Sequence, residues 1–231
     1  MGGLTNIKVI LAGVLLGIVI ATPFALRLFY GNGLAEITGK AASTVYIAFS
    51  NASYCNVSVI TGWNLISFYC DADNMSTSNV LSTIQDNYLS IHTYDRHDPS
   101  DKWKAYKPDL PSWVIQDLSS ISTKQGYWIL MKSNDTILFN GSIKYPTIIF
   151  LFKGWNLVGY PANEPKLVNE TFLDVIMNLD SVHLYTASNT SDHWKVYSTS
   201  VNVSQNDLLY MQPNFGYWVR MDDDDTWMVD E

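Results

Sequence analysis

One stretch of this chain occurs twice, and it limits the possible folds more than any other feature. Thr61-Gly62-Trp63-Asn64-Leu65-Ile66-Ser67-Phe68-Tyr69 returns as Lys153-Gly154-Trp155-Asn156-Leu157-Val158-Gly159-Tyr160. The two tryptophans, at 63 and 155, stand 92 positions apart. Ser90-Ile91-His92-Thr93-Tyr94 answers to Ser181-Val182-His183-Leu184-Tyr185 at an offset of 91, and Trp103-Lys104-Ala105-Tyr106 to Trp194-Lys195-Val196-Tyr197 at the same offset. Gly126-Tyr127-Trp128-Ile129 answers to Gly216-Tyr217-Trp218-Val219 at 90. So small a drift marks a duplicated unit with short loop changes. A period this long is a pair of domains, not a solenoid.

Within each copy, short β-branched and aromatic runs bounded by turn residues predict strands. Strands are expected over 89–95 and 102–107, with equivalents over 181–186 and 193–198, and at each Gly-Tyr-Trp. The pattern of apolar residues predicts a short helix over 78–84 and another over 170–176, with Ser76 and Asn169 as N-cap candidates. A terminal hairpin is expected to close each copy, turning at Asn134-Asp135 and at Asp223-Asp224. The fold class is therefore mainly β: two homologous units, 44–143 and 144–231, each of about five strands with one or two short helices. Thr44-Val45-Tyr46-Ile47-Ala48-Phe49-Ser50 reads as a single-copy strand outside the duplicated plan.

Gly-Trp-Asn-Leu at the start, Trp-x-x-Tyr in the middle and Gly-Tyr-Trp near the end resemble the tandem repeats of predicted surface and secreted proteins of archaea and some bacteria. The resemblance covers about residues 57–231. It departs at His92 and His183, where an aromatic is expected. It implies an extracellular, noncatalytic module and brings no active site with it.

Val9 to Leu28 is almost uninterrupted apolar sequence, preceded by Lys8. About 20 apolar residues at 1.5 Å each are enough to cross a bilayer core. Residues 1–30 are read as an N-terminal transmembrane anchor, with a removed signal as the alternative because Ala21 and Ala25 offer small residues for cleavage. Residues 31–43, with three glycines and paired alanines, are a linker. The chain stops after its last predicted strand, so any attachment to the membrane is expected at the N-terminus.

Asn-x-Ser/Thr tripeptides occur at Asn51, Asn56, Asn74, Asn134, Asn140, Asn169, Asn189 and Asn202, nearly all in predicted loops or at strand ends. Together they point to a glycosylated, exported chain. Only 16% of residues are charged, so the surface must be largely neutral-polar. The net charge of −8 leaves no basic face for nucleic acid.

The two cysteines, Cys55 and Cys70, discriminate between a long strand and a hairpin. At ~3.3 Å per residue a continuous strand would hold them about 50 Å apart. A reversal at Gly62-Trp63 would set Cys55 opposite Cys70 and Val57 opposite Phe68, so a disulfide closing a hairpin is expected, as an exported chain allows.

The three tryptophan pairs common to both copies are read as a shared core. Trp113 and Trp227 are not shared and are candidate partner contacts. No zinc-ligand spacing, nucleophile elbow, phosphate loop or dinucleotide fingerprint occurs, so no catalytic residue, metal or cofactor is assigned. Asp71-Ala72-Asp73-Asn74 begins like a calcium loop but lacks the glycine and distal glutamate of one, and Asp222 to Asp225 reads as a solvated turn. The functional expectation is a membrane-anchored surface glycoprotein module, structural or adhesive, with no enzymatic activity and with envelope subunits or glycans as partners. A subunit of a pilus-like filament and a secreted carbohydrate-binding domain or hydrolase are the alternatives.

Overall fold

Glycine at positive φ twice breaks what would otherwise be a long strand, and the architecture follows from those two corners. The computed structural model describes residues 53–230 except Ser112. The expected anchor over 1–30, the linker 31–43, the strand over 44–50 and the sequon at Asn51 lie outside the described residues. The described part is mainly β, and its two copies belong to one compact unit over residues 52–231.

In the first copy the strands are β1 (Ser53–Val59), β2 (Gly62–Ile66), β3 (Tyr88–Tyr94), β4 (Trp103–Tyr106), β5 (Tyr127–Met131) and β6 (Asp135–Gly141). Strands β2-β5-β3-β4 form a four-stranded antiparallel sheet, and β1 pairs separately with β6. The second copy repeats this with β7 (Thr147–Leu151), β8 (Gly154–Val158), β10 (Leu179–Tyr185), β11 (Trp194–Ser198), β13 (Tyr217–Met221) and β14 (Asp225–Val229). It adds a two-residue pair, β9 (Lys166–Leu167) with β12 (Tyr210–Met211). Its four-stranded sheet runs β8-β13-β10-β11, with β7 against β14.

Each Gly-Trp-Asn-Leu is a corner between two sheets. Gly62 and Gly154 have φ of 91° and 86°, where an L side chain is strained. Asn64 braces the bend: its Oδ1 accepts the Ile60 N–H at 3.0 Å, and its Nδ2 donates to the Ile60 and Gly62 carbonyls at 2.6 and 3.0 Å. Asn156 makes the same three bonds to Phe152 and Gly154, at 2.9, 2.7 and 3.0 Å. The side-chain amide thus replaces the backbone partners that the bend removes.

The expected hairpin about Gly62-Trp63 is therefore corrected. Strand β1 pairs with β6, Val59 opposite Asp135, and β2 pairs with β5. The disulfide Cys55–Cys70 is nevertheless present, with 6.4 Å between the Cα atoms. It forms because the chain leaving β2 comes back along the end of β6: Asp71 and Ser142 exchange both backbone hydrogen bonds at 2.9 Å. At Gly141, a Cβ would lie 3.0 Å from the Cys55 sulfur, so the bare backbone leaves room for the bridge. The terminal hairpins are corrected for the same reason. The turn near Asn134 leads from β5 into β6, but the two strands lie in different sheets.

Two cores result. In the first, Val57, Val59, Phe68, Ile91, Ile129 and Ile137 meet Val80, Leu81 and Ile84 from the short helix α1 (Thr77–Val80) and the 3-10 turn Ser82–Ile84. In the second, Trp227, Phe172, Val182, Val219 and Val229 meet around α2 (Val168–Thr171). Both helices are shorter than the apolar pattern predicts. Ser76 is the N-cap of α1 without a side-chain cap bond, and Leu167 rather than Asn169 caps α2.

The copies join reciprocally. Ile66 bridges Phe215, and Gln125 bridges Val158. Gly216 N–H donates to Leu65 O at 3.3 Å and Gly126 N–H to Leu157 O at 3.4 Å. A Cβ on Gly126 would lie 2.8 Å from Val158 O, and one on Gly216 would lie 2.7 Å from Ile66 O, so both glycines are needed for close approach.

Candidate functional site, a doubled aromatic band

Strand alternation decides where the shared tryptophans go. In Gly-Tyr-Trp-Ile the buried residues are Tyr127 and Ile129, so Trp128 lies on the opposite face of the sheet, and Trp218 does the same between Tyr217 and Val219. The Tyr side is fixed in the core. Tyr127 Oη accepts the Ser122 N–H at 2.7 Å and donates to Ser122 O at 3.3 Å, and Tyr217 Oη does the same with Gln212 at 2.6 and 3.2 Å. Burial raises the pKa of both phenols.

The expectation that the three tryptophan pairs form a shared core is corrected. Trp63, Trp103, Trp155 and Trp194 are 42, 48, 40 and 42% exposed, and Trp128 and Trp218 are half-buried. They gather on one face with Tyr94, Tyr185, His92 and His183. The ring contacts come in equivalent pairs. Trp63 touches His92 at 5.9 Å and Trp128 at 6.2 Å, as Trp155 touches His183 at 5.0 Å and Trp218 at 6.3 Å. Across the junction, Trp128 meets Tyr185 at 4.9 Å and Trp194 at 6.1 Å, and Trp218 meets Tyr94 at 5.4 Å and Trp103 at 6.1 Å. Most of these pairs are edge-on or tilted, as the ring quadrupoles prefer.

Two open hollows lie in this band. One, about 450 Å³, is lined by Trp63, His92, Trp103, Trp128 and Tyr185. The other, about 500 Å³, is lined by Trp155, His183, Trp194, Trp218 and Tyr94. Each takes four rings from its own copy and a tyrosine from the other, so neither is complete in one copy alone. His92 Nε2 is 2.9 Å from Ser90 Oγ and His183 Nε2 is 3.0 Å from Ser181 Oγ. Both imidazoles are held below their ordinary pKa, chiefly by burial, so both are neutral near pH 7.

Charged groups stay at the margin. Arg220 lies over the Trp155 ring at 5.9 Å and 3.6 Å from Asp180. Leu130 takes the corresponding place across from Trp63. The two hollows therefore differ at the rim.

The remaining candidate residues scatter. Trp227 is corrected as a partner contact: it is fully buried, donates from Nε1 to Thr171 O at 2.7 Å and stacks on Phe172 at 4.4 Å. Its counterpart is the core residue Ile137. Trp113 is 82% exposed but lines neither hollow. Of the sequon asparagines, Asn56, Asn74, Asn134, Asn140, Asn169 and Asn202 are exposed and Asn189 is half-buried. The two acidic segments are occupied within the protein. Asp71 pairs with Lys144 at 3.1 Å, Asp224 accepts the Lys153 N–H at 2.7 Å, and Asp225 accepts Asn178 Nδ2 at 2.8 Å. Among the described residues no three His, Cys, Asp or Glu side chains gather as metal ligands, and no helix is long and apolar enough to cross a membrane.

Sequence reasoning missed the band because it assigned repeated tryptophans to a repeated core. The period-2 alternation around Trp128 and Trp218 was the available signal. No family model, curated protein or solved structure matches this chain.

Proposed function

We propose that this chain is an exported, noncatalytic adhesion module, held to the membrane by its N-terminal apolar segment with the paired β units outside. The observation that carries the reading is the exposure of the duplicated tryptophans around two equivalent hollows. Clustered apolar surface of this kind is the usual mark of a binding face. It is present in both copies although neither core needs it. The exposed sequons and the buried Cys55–Cys70 bridge fit a glycosylated chain in an oxidising compartment.

The test is retention of isolated cell envelopes on beads carrying the full-length chain, compared with beads carrying Trp63→Ala/Trp155→Ala. Adhesion is expected to fall strongly in the double variant while its urea midpoint stays close to that of the parent. Equal retention by both proteins overturns the reading.

A further inference from the structure

The chemistry of the aromatic band specifies what it takes. None of the ten residues lining the two hollows carries a charge at pH 7, since the two imidazoles are neutral. An anionic ligand would lose its hydration there without gaining a counter-charge, and a bare cation, though drawn to the ring faces, would leave the hydrogen-bond donors of the walls unused. The walls are nevertheless not purely apolar. Among the described residues Trp227 is the indole that donates a hydrogen bond inside the protein, so none of the six indole N–H groups of the band is taken up by a described protein acceptor. The hydroxyls of Tyr94 and Tyr185 likewise make no hydrogen bond to a described residue. Flat apolar walls edged with N–H and O–H groups complement a neutral ligand that has apolar faces and a hydroxylated rim.

Rings that line one hollow touch rings that line the other. Trp103 of one lies 6.1 Å from Trp218 of the other, and Trp128 lies 6.1 Å from Trp194.

We infer that the band binds a neutral oligosaccharide, one chain lying across both hollows with sugar rings against the indoles and hydroxyls meeting the indole and phenol donors. This deepens the adhesive reading and rests on it. The second hollow carries Arg220 and Asp180 at its rim, a donor and an acceptor for hydroxyls beside Trp155. Occupying two joined subsites with one molecule makes the second contact intramolecular, so affinity rises with chain length.

The experiment is calorimetric titration of the full-length chain with gluco-, manno- and galacto-oligosaccharides from one to six residues, with oligogalacturonate as the charged comparison. Affinity is expected to rise ~tenfold or more once a neutral chain is long enough to reach both hollows. Trp63→Ala and Trp155→Ala should each abolish that rise, leaving the monosaccharide value, with Trp155→Ala the more damaging. Three outcomes overturn the inference: no binding to any neutral series, tighter binding of oligogalacturonate, or an affinity that does not depend on length. If envelopes are still retained on beads while no oligosaccharide binds, the adhesive reading stands and the sugar assignment falls.

Discussion

Asn64 completes the backbone of Ile60: its side chain accepts the Ile60 N–H at 3.0 Å and donates to the Ile60 carbonyl at 2.6 Å. Asn64 is buried, so a substitution leaves polar groups away from water. Asn64→Asp keeps the acceptor but loses both donated bonds, and Asn64→Ala loses all three. Each is expected to lower stability by about 1–3 kcal/mol, read as a drop in the urea midpoint. Asn156→Asp should behave alike. An unchanged midpoint would mean that the corner holds without its brace.

The two classes of tryptophan separate in a stability measurement. Trp227 is fully buried and hydrogen-bonded, so Trp227→Ala is expected to cost about 3–5 kcal/mol. Trp155→Ala removes a ring that is 40% exposed and should cost far less. Similar thermal midpoints for the two variants would contradict the placement of one in the core and the other on the band.

Glycines at the junction and at the corners fail for different reasons. Gly216→Ala would place a Cβ 2.7 Å from the Ile66 carbonyl oxygen, a backbone atom, so the two copies must part. A loss of about 1–3 kcal/mol is expected from such overpacking. Gly154→Ala meets nothing within 4 Å, but its φ of 86° is strained for alanine by about 1–2 kcal/mol. Urea titration gives both losses. Amide exchange then distinguishes them, since Gly216→Ala should loosen residues 65–67 and Gly154→Ala should not.

Cys55 and Cys70 close a loop with a sequence separation of 15. The chain-entropy estimate for such a loop is about 3 kcal/mol. Cys55→Ala/Cys70→Ala is expected to lose up to that amount and still fold, because the second copy builds the same plan without a bridge. Failure of the double variant to refold from urea would assign the bond an essential role.

His92 and His183 set a pH dependence. Burial is the main cause of their lowered pKa. Lys107 adds to it and Asp117 opposes it at His92, while Asp180 opposes it and Arg220 adds to it at His183. The folded imidazoles resist protonation, whereas the unfolded chain takes up protons near the ordinary value of 6.5. Their contribution to stability is therefore complete above that value and declines as the pH falls below it. The carboxylates of Asp98, Asp135 and Asp230, whose pKa values are lowered, lose their contribution only below about pH 4. The urea midpoint should fall between about pH 7.5 and pH 5, and His92→Gln/His183→Gln should flatten that fall. An equally steep fall in the variant would place the titration elsewhere.

The sequence by itself determined the duplication, the β character and the strands around His92 and His183. These follow from repeated spacing, period-2 patterns and turn residues, which are properties of neighbouring positions. The Cys55–Cys70 bridge is present, but through the return of the chain along β6 and not through the expected hairpin. The sequence did not determine that Gly62 and Gly154 turn the chain between sheets instead of into hairpins. A glycine at positive φ serves either geometry, and the choice depends on β6 and β14 offering partners roughly 80 residues downstream. Nor did it determine the aromatic band. Repetition marks a shared role, but whether that role is a core or a surface depends on which face of the sheet is covered. Only the tertiary structure decides this, by packing Tyr127 and Ile129 inward and leaving Trp128 to meet Tyr185 of the other copy at 4.9 Å.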